Sequence, residues 1–282
     1  MQGTTIARPG TWVLGLLMLT LVGQAAAAER SVYFYGIHQV TEPRWQEHLS
    51  LWRSEGVGRV IVSLESGPRF LLDDRAEAQK LADLFSLACA RGIRIEGLIL
   101  QDPSWALKPN DARLRLRTVS EFARRHPGTI DAVQIDVEVY TEPAIFGQGE
   151  GWSRFASMVA ALRAELTMHP GGLRLEAAMP WWYGYKVSEN EFRMISNSLD
   201  GVLLMVYGDR GGEPVAAEIE TFQRKVLPAV LDLAGRGPAI TVGVASYEHA
   251  SASATARFSR QLDMLLAPAS GYAGTAVFGD SE

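Results

Sequence analysis

Asp136 and Glu138 stand two positions apart in the run Asp131-Ala132-Val133-Gln134-Ile135-Asp136-Val137-Glu138. Extended backbone turns successive side chains to opposite faces, so Gln134, Asp136 and Glu138 share one face and Val133, Ile135 and Val137 the other. Two carboxyls held that close in a poorly hydrated setting repel each other and lose solvation. Their pKa values are driven apart, and one stays protonated near neutral pH as a general acid. Acid-assisted cleavage of a glycosidic bond needs such a group. Glu138, at the end of the run, is the expected acid, with Asp136 beside it. The competing reading is a surface strand with its acidic face in water.

The rest of the chain supplies groups suited to a sugar rather than to a metal. Trp181, Trp182, Tyr183 and Tyr185 follow one apolar run and Trp105 follows another; flat aromatic faces stack on the apolar faces of pyranose rings, though each ring could equally pack on its own scaffold. His38, Glu65, Asp102, Asp209, Glu248 and His249 also fall just after apolar runs, as sugar-hydroxyl ligands or as solvated loop groups. There is no Cys/His cluster, no H-E-x-x-H and no closely spaced acidic set, so neither a metal nor a cofactor is expected. Cys89, the single cysteine, lies in an amphipathic helical pattern and is expected to be a small buried residue rather than a nucleophile.

Those positions acquire meaning from the order of elements. Short β-branched apolar runs at Val32–Ile37, Arg59–Leu64, Ile93–Leu100, Ala132–Val137, Leu173–Met179, Gly201–Tyr207, Ala239–Ala245 and Thr275–Phe278 predict eight strands. Amphipathic stretches near 42–55, 73–91, 111–126, 151–168, 188–198, 214–234 and 253–267 predict seven helices between them. Such alternation implies parallel strands joined by right-handed crossovers, an α/β fold. Eight units in one domain, residues 29–282, match the (β/α)8 TIM barrel, whose active sites lie at the C-terminal strand ends. A doubly wound sheet would announce a nucleotide site, and no G-x-G-x-x-G follows the first strand. Only four residues follow Phe278, so the eighth helix is missing and that side must be closed otherwise, a homo-oligomer being one way.

Composition narrows the partners. A formal charge of −5 gives no basic field for nucleic acid, and a polysaccharide or other glycan is favoured. Met1–Gly10 carries Arg8, the apolar stretch Trp12–Val22 follows, and Gln24–Ala28 offers small residues for cleavage. Residues 1–28 thus read as a signal peptide. Eleven apolar residues are about half of what a ~30 Å hydrocarbon core requires, so an anchor is disfavoured and an exported chain, periplasmic or extracellular and free of the membrane, is expected.

The residues also carry a resemblance. Asp131-x-x-Gln134-x-Asp136-x-Glu138 is similar to the D-x-x-D-x-D-x-E signature of family 18 glycoside hydrolases, the chitinases and endo-β-N-acetylglucosaminidases. Met205-Val206-Tyr207 looks like that family's M-x-Y, and Val242-Gly243-Val244-Ala245-Ser246-Tyr247 resembles its glycine-bearing strand ending near a tyrosine. The resemblance implies that Glu138 protonates the leaving oxygen, Asp136 orients the substrate's 2-acetamido group, and Tyr207 hydrogen-bonds the acetamido carbonyl. This substrate-assisted scheme needs no protein nucleophile. It also implies a sugar site around Gln134, Met205, Tyr247 and Phe278. The departures are Gln134 in place of an acid that would share a proton with Asp136, Gly208 with Asp209 one position late, Phe278 in place of tryptophan, and Gly97–Asp102 in place of S-x-G-G. The expected function is an exported glycoside hydrolase acting on a β-linked glycan; the alternative is a non-catalytic carbohydrate-binding barrel serving envelope or exopolysaccharide assembly.

Overall fold

The computed structural model describes residues 29–142, 150–169, 172–207, 215–249 and 251–279. The expected signal peptide and the positions Gly208 and Asp209 lie outside the described residues. Eight parallel strands close into a barrel in chain order: β1 Glu29–Phe34, β2 Val57–Ser63, β3 Arg94–Ile99, β4 Ala132–Ile135, β5 Arg174–Pro180, β6 Gly201–Met205, β7 Ala239–Ala245 and β8 Tyr272–Phe278. Around them run α1 Glu42–Ser54, α2 Arg75–Ala90, α3 Pro109–Arg125, α4 Glu150–Met168, α5 Glu189–Ser198, α6 and α7 Ala252–Leu266. Helix α6 comprises Val215–Thr221 and Leu227–Ala234, joined by a π-helical turn, Phe222–Val226. This is the expected (β/α)8 barrel.

Local chemistry explains the boundaries. Asp74 caps α2 by accepting from the backbone N–H groups of Ala76 and Glu77, and Ser188 with Glu191 forms a capping box on α5. The outward faces of the strands, such as Val60, Val133, Ile135 and Val242, join the helices in the main core. Helix α2 turns Leu81, Phe85 and Ala88 into that core, whereas Cys89 is exposed. The expectation of a buried Cys89 is therefore corrected: it follows the last buried position of the stripe and faces solvent.

Inside the barrel, Tyr33, Ile61, Leu98, Ala178, Leu203, Met205 and Ala276 form a second, smaller core. Two residues earlier on each strand the filling changes character. Arg59, 4% exposed, donates from Nε to Ser31 Oγ (2.8 Å), from Nη1 to Glu96 Oε2 and Glu176 Oε2 (both 2.9 Å) and from Nη2 to Thr241 Oγ1 (3.0 Å). The N-terminal end is thus plugged by one cation and two carboxylates from three strands. Glu176 has room because Gly201 lacks a side chain, where a Cβ would stand 2.8 Å from the Glu176 carboxyl carbon.

The sheet closes on itself. β8 pairs with β1 from Glu29↔Gly274 to Val32↔Val277, so the hydrogen-bonded wall is complete without a second copy. What lacks cover among the described residues is the outer layer between α1 and α7, a groove of about 750 Å³ lined by Val32, Trp52, Arg260 and Val277.

Candidate active site

The β4 ladder stops at Ile135, and Asp136 and Glu138 lie in the segment just beyond it. The alternation nevertheless continues: Val137 and Val139 enter the outer core, while Asp136 and Glu138 are half-buried at the C-terminal mouth. The Glu138 carbonyl accepts from Thr141 N (3.0 Å) and Thr141 Oγ1 (2.8 Å), which fixes the turn that carries the carboxyl.

Two groups of aromatic rings surround the pair. On one side Phe278 stacks on Tyr207 (centroids 5.4 Å apart, planes 10° apart) and meets Tyr33, Tyr35 and Tyr247 edge-on at 5.5, 5.7 and 6.1 Å. On the other, Tyr140 stacks on Trp152 at 6.1 Å and meets Trp182 edge-on at 5.0 Å. Beneath them the Tyr33 hydroxyl donates to Gln134 Oε1, and Gln134 is fully buried. The place where the resemblance would put an acid is thus a neutral amide locked to a tyrosine. Gln134 Nε2 and Asp136 Oδ1 are both buried without a protein partner among the described residues.

This setting separates the two carboxyls. Burial, and secondly the neighbouring Glu138 charge, push Asp136 up to about 7. Burial raises Glu138 as well, but the hydrogen bond from the Tyr140 hydroxyl favours its ionised form and opposes the rise. Tyr35 and Tyr207 are raised by burial and then by Asp136, so their hydroxyls stay neutral donors. The mouth can therefore offer a proton from a carboxyl, hold a second acid close to it and present several hydroxyl donors against flat apolar faces.

The expected site residues divide. Asp136, Glu138, Tyr207, Trp182, Tyr247 and Phe278 come together at the mouth, and Met205 lies under it in the inner core. Tyr183 does not belong: it is 1% exposed and stacks on Phe192 of α5 at 5.9 Å. Trp181 packs against the outer core. Both flank Trp182 in the turn after β5, and of the three it is Trp182 that meets Tyr140. Tyr185 is exposed. Glu65 is a brace, accepting from Leu100 N (3.2 Å) and Gln101 N (3.3 Å). His38, Glu65 and Trp105 line a separate cavity of about 770 Å³ beside the mouth. Asp102 caps the turn at Ser104. Among the described residues no group of three or more His, Cys, Asp or Glu could hold a metal, and no helix is long and apolar enough to cross a membrane.

No family model matches the chain, and no curated protein matches it in sequence. Solved structures do. A hyperthermostable endo-1,4-β-D-mannanase from Thermotoga petrophila RKU-1 superposes with a TM-score of 0.65 at 11% identity, over 90% of each chain. A GH18 chitinase from Pseudoalteromonas aurantia gives 0.54 at 13%, over 90% of this chain and 94% of that one. The virulence factor SghA from Agrobacterium tumefaciens gives 0.54 at 11%, over 90% and 88%. What they share with this chain is the barrel.

Four residues of the mouth escape a motif search: Tyr33, Tyr35, Tyr140 and Trp152. Tyr140 continues the alternation Gln134, Asp136, Glu138, and Tyr33 and Tyr35 show the same spacing on and after β1, so period two would have found three of them. Trp152 enters from the first turn of α4, and no local pattern announces it.

Proposed function

We propose that this chain is an exported glycoside hydrolase cleaving a β-linked glycan at an N-acetylhexosamine residue. The observation that carries it is the carboxyl pair Asp136 and Glu138, held at a barrel mouth between two sets of aromatic rings. Glu138 gives its proton to the glycosidic oxygen as the C1–O bond breaks, and the carbonyl oxygen of the substrate's own 2-acetamido group bonds to C1. Asp136, raised to about 7, is partly protonated near neutral pH, and the reactive form of the pair is the one with the proton on Glu138 and Asp136 ionised. Asp136 then accepts the amide N–H of the positive oxazolinium, and the neutral Tyr207 hydroxyl donates to the acetamido oxygen. Water then adds to C1, giving its proton to Glu138, and the acetamido group is released. Barrel neighbours that include a mannanase and a chitinase make glycans a common occupant of this fold.

A second reading is a barrel that binds glycan without cleaving it. Gln134 favours it, because a buried amide cannot take the proton that an acid under Asp136 could share. Product release from β-linked glycans with and without N-acetyl groups separates the two. Hydrolysis of N-acetylated substrates alone, with kcat falling by a factor of ~10²–10⁴ in Glu138→Gln, supports the hydrolase. Tight binding with no product selects the binder, and cleavage of unacetylated glycans removes the acetamido step.

A further inference from the structure

The cavity beside the mouth differs in chemistry from the mouth itself. It lies over the ends of β1, β2 and β3, and Tyr35 joins it to the carboxyl pair, since Tyr35 lines the cavity and senses the charges of both Asp136 and Glu138. Arg115 of α3 lies in its wall with its guanidinium carbon 4.1 Å from the ring centroid of Phe70 and 5.2 Å from that of Trp105. Rings on a planar cation fix its orientation while leaving its edge N–H groups free to donate.

Among the described residues those donors make no hydrogen bond to the protein, and the guanidinium charge is met by one long ion pair. That pair is with Glu65, whose Oε1 stands 3.6 Å from Arg115 Nη1, beyond hydrogen-bond distance, and which is held in place by the backbone N–H groups of Leu100 and Gln101. Asp102 is engaged at Ser104 N. His38 Nδ1 is buried and meets no protein partner among the described residues, and exposed Lys108 stands at the rim. The wall is also held in a costly conformation. Leu100 is fully buried with φ 57°, a left-handed backbone that a branched side chain adopts only when its surroundings enforce it. Glu65 enforces it by capturing the Leu100 N–H.

We infer that this cavity is a subsite for the carboxylate of an acidic sugar residue neighbouring the one at which Glu138 acts. The planar fork of Arg115 matches a carboxylate in two parallel hydrogen bonds, Lys108 adds a second cation, and Trp105, which holds the guanidinium, gives the cavity an apolar border. The inference rests on the hydrolase reading and specifies its substrate as a heteroglycan containing both N-acetylhexosamine and uronic acid.

The test reads binding, so that it does not depend on turnover. Calorimetry on the Glu138→Gln chain compares a β-linked hexasaccharide alternating glucuronic acid and N-acetylglucosamine with its carboxyl-reduced counterpart. The acidic form is expected to bind about tenfold tighter, the factor of one charge-assisted hydrogen bond. Arg115→Gln added to that chain should abolish the difference, and Arg115→Lys should restore part of it. Lys108→Gln, at an exposed position that folding does not depend on, should reduce it. Equal affinity for the two hexasaccharides, failure of both to bind, or a preference that survives Arg115→Gln would overturn the inference. A chitin hexamer carrying O-sulfate supplies the other anion: binding as tight as the uronate would show a general anion site and overturn the carboxylate assignment. Wild-type chain that shows the acidic preference but cleaves neither glycan would refute the hydrolase reading and leave the subsite standing.

Discussion

A single hydroxyl sets the balance at Glu138. Burial raises its carboxyl and the Tyr140 hydrogen bond lowers it, so Tyr140→Phe should raise it further. The limb of the kcat/KM profile on which Glu138 must remain protonated would then move to higher pH, as a pH series on the two proteins would show. Asp136 links the site to stability. Its carboxyl, raised to about 7 by burial and then by Glu138, binds more protons in the folded than in the unfolded chain between the ordinary aspartate range and about 7. Stability therefore falls as pH rises through that window and stays lost above it. Asp136→Asn should abolish most activity yet stabilise the fold, by up to about 2 kcal/mol at pH 8 once half-exposure is allowed for, and by less at pH 5. Thermal melts at the two pH values check this. The pair itself was legible in the sequence because period-two spacing survives the end of the β4 ladder. The rings opposite it were less so, since Trp152 reaches Tyr140 only after α4 has folded back.

Strands and helices followed their sequence patterns closely because each start is written locally, in caps such as Asp74, Ser188 and Ser251. The plug at the N-terminal end was not legible for the opposite reason. Arg59 meets Glu96 and Glu176 across separations of 37 and 117 residues, and each of the three alone reads as an ordinary strand charge. Only closure of the ring brings them together. The plug makes the barrel depend on charge balance. Arg59→Met would leave Glu96 and Glu176 in a dry interior with Arg174, 3.1 Å from Glu176, as the cation that remains near them among the described residues. Removing one partner of a buried ion pair costs about 3–5 kcal/mol. Glu96 is already raised by burial and by Glu176, with Arg59 opposing the rise, so without Arg59 its carboxyl would fold protonated. The variant's urea midpoint should accordingly be most depressed at pH 8 and recover toward pH 5, the reverse of ordinary acid destabilisation.

The molecule as a whole is held shut at one seam, where β8 meets β1 under the groove between α1 and α7. The backbone there approaches closely. A Cβ on Gly274 would lie 2.1 Å from the Glu29 carbonyl oxygen, and its φ of 139° lies outside the range of other residues. Gly128, with φ 79° in the turn before β4, has nothing within 4 Å of where its Cβ would be. The two glycines separate conformational cost from closure. Gly128→Ala should lose about 1 kcal/mol, the left-handed penalty alone. Gly274→Ala must also push β8 off β1, and at least ~3 kcal/mol is expected. Equilibrium unfolding in urea measures both. If the seam is what keeps the ring closed, amide exchange in Gly274→Ala should rise first in β1 and β8 and leave β4 and β5 on the far side protected, since neighbouring strands open before distant ones. Uniform acceleration around the barrel would mean instead that the ring opens as one unit, with Arg59 and its partners tying the strands together across the interior.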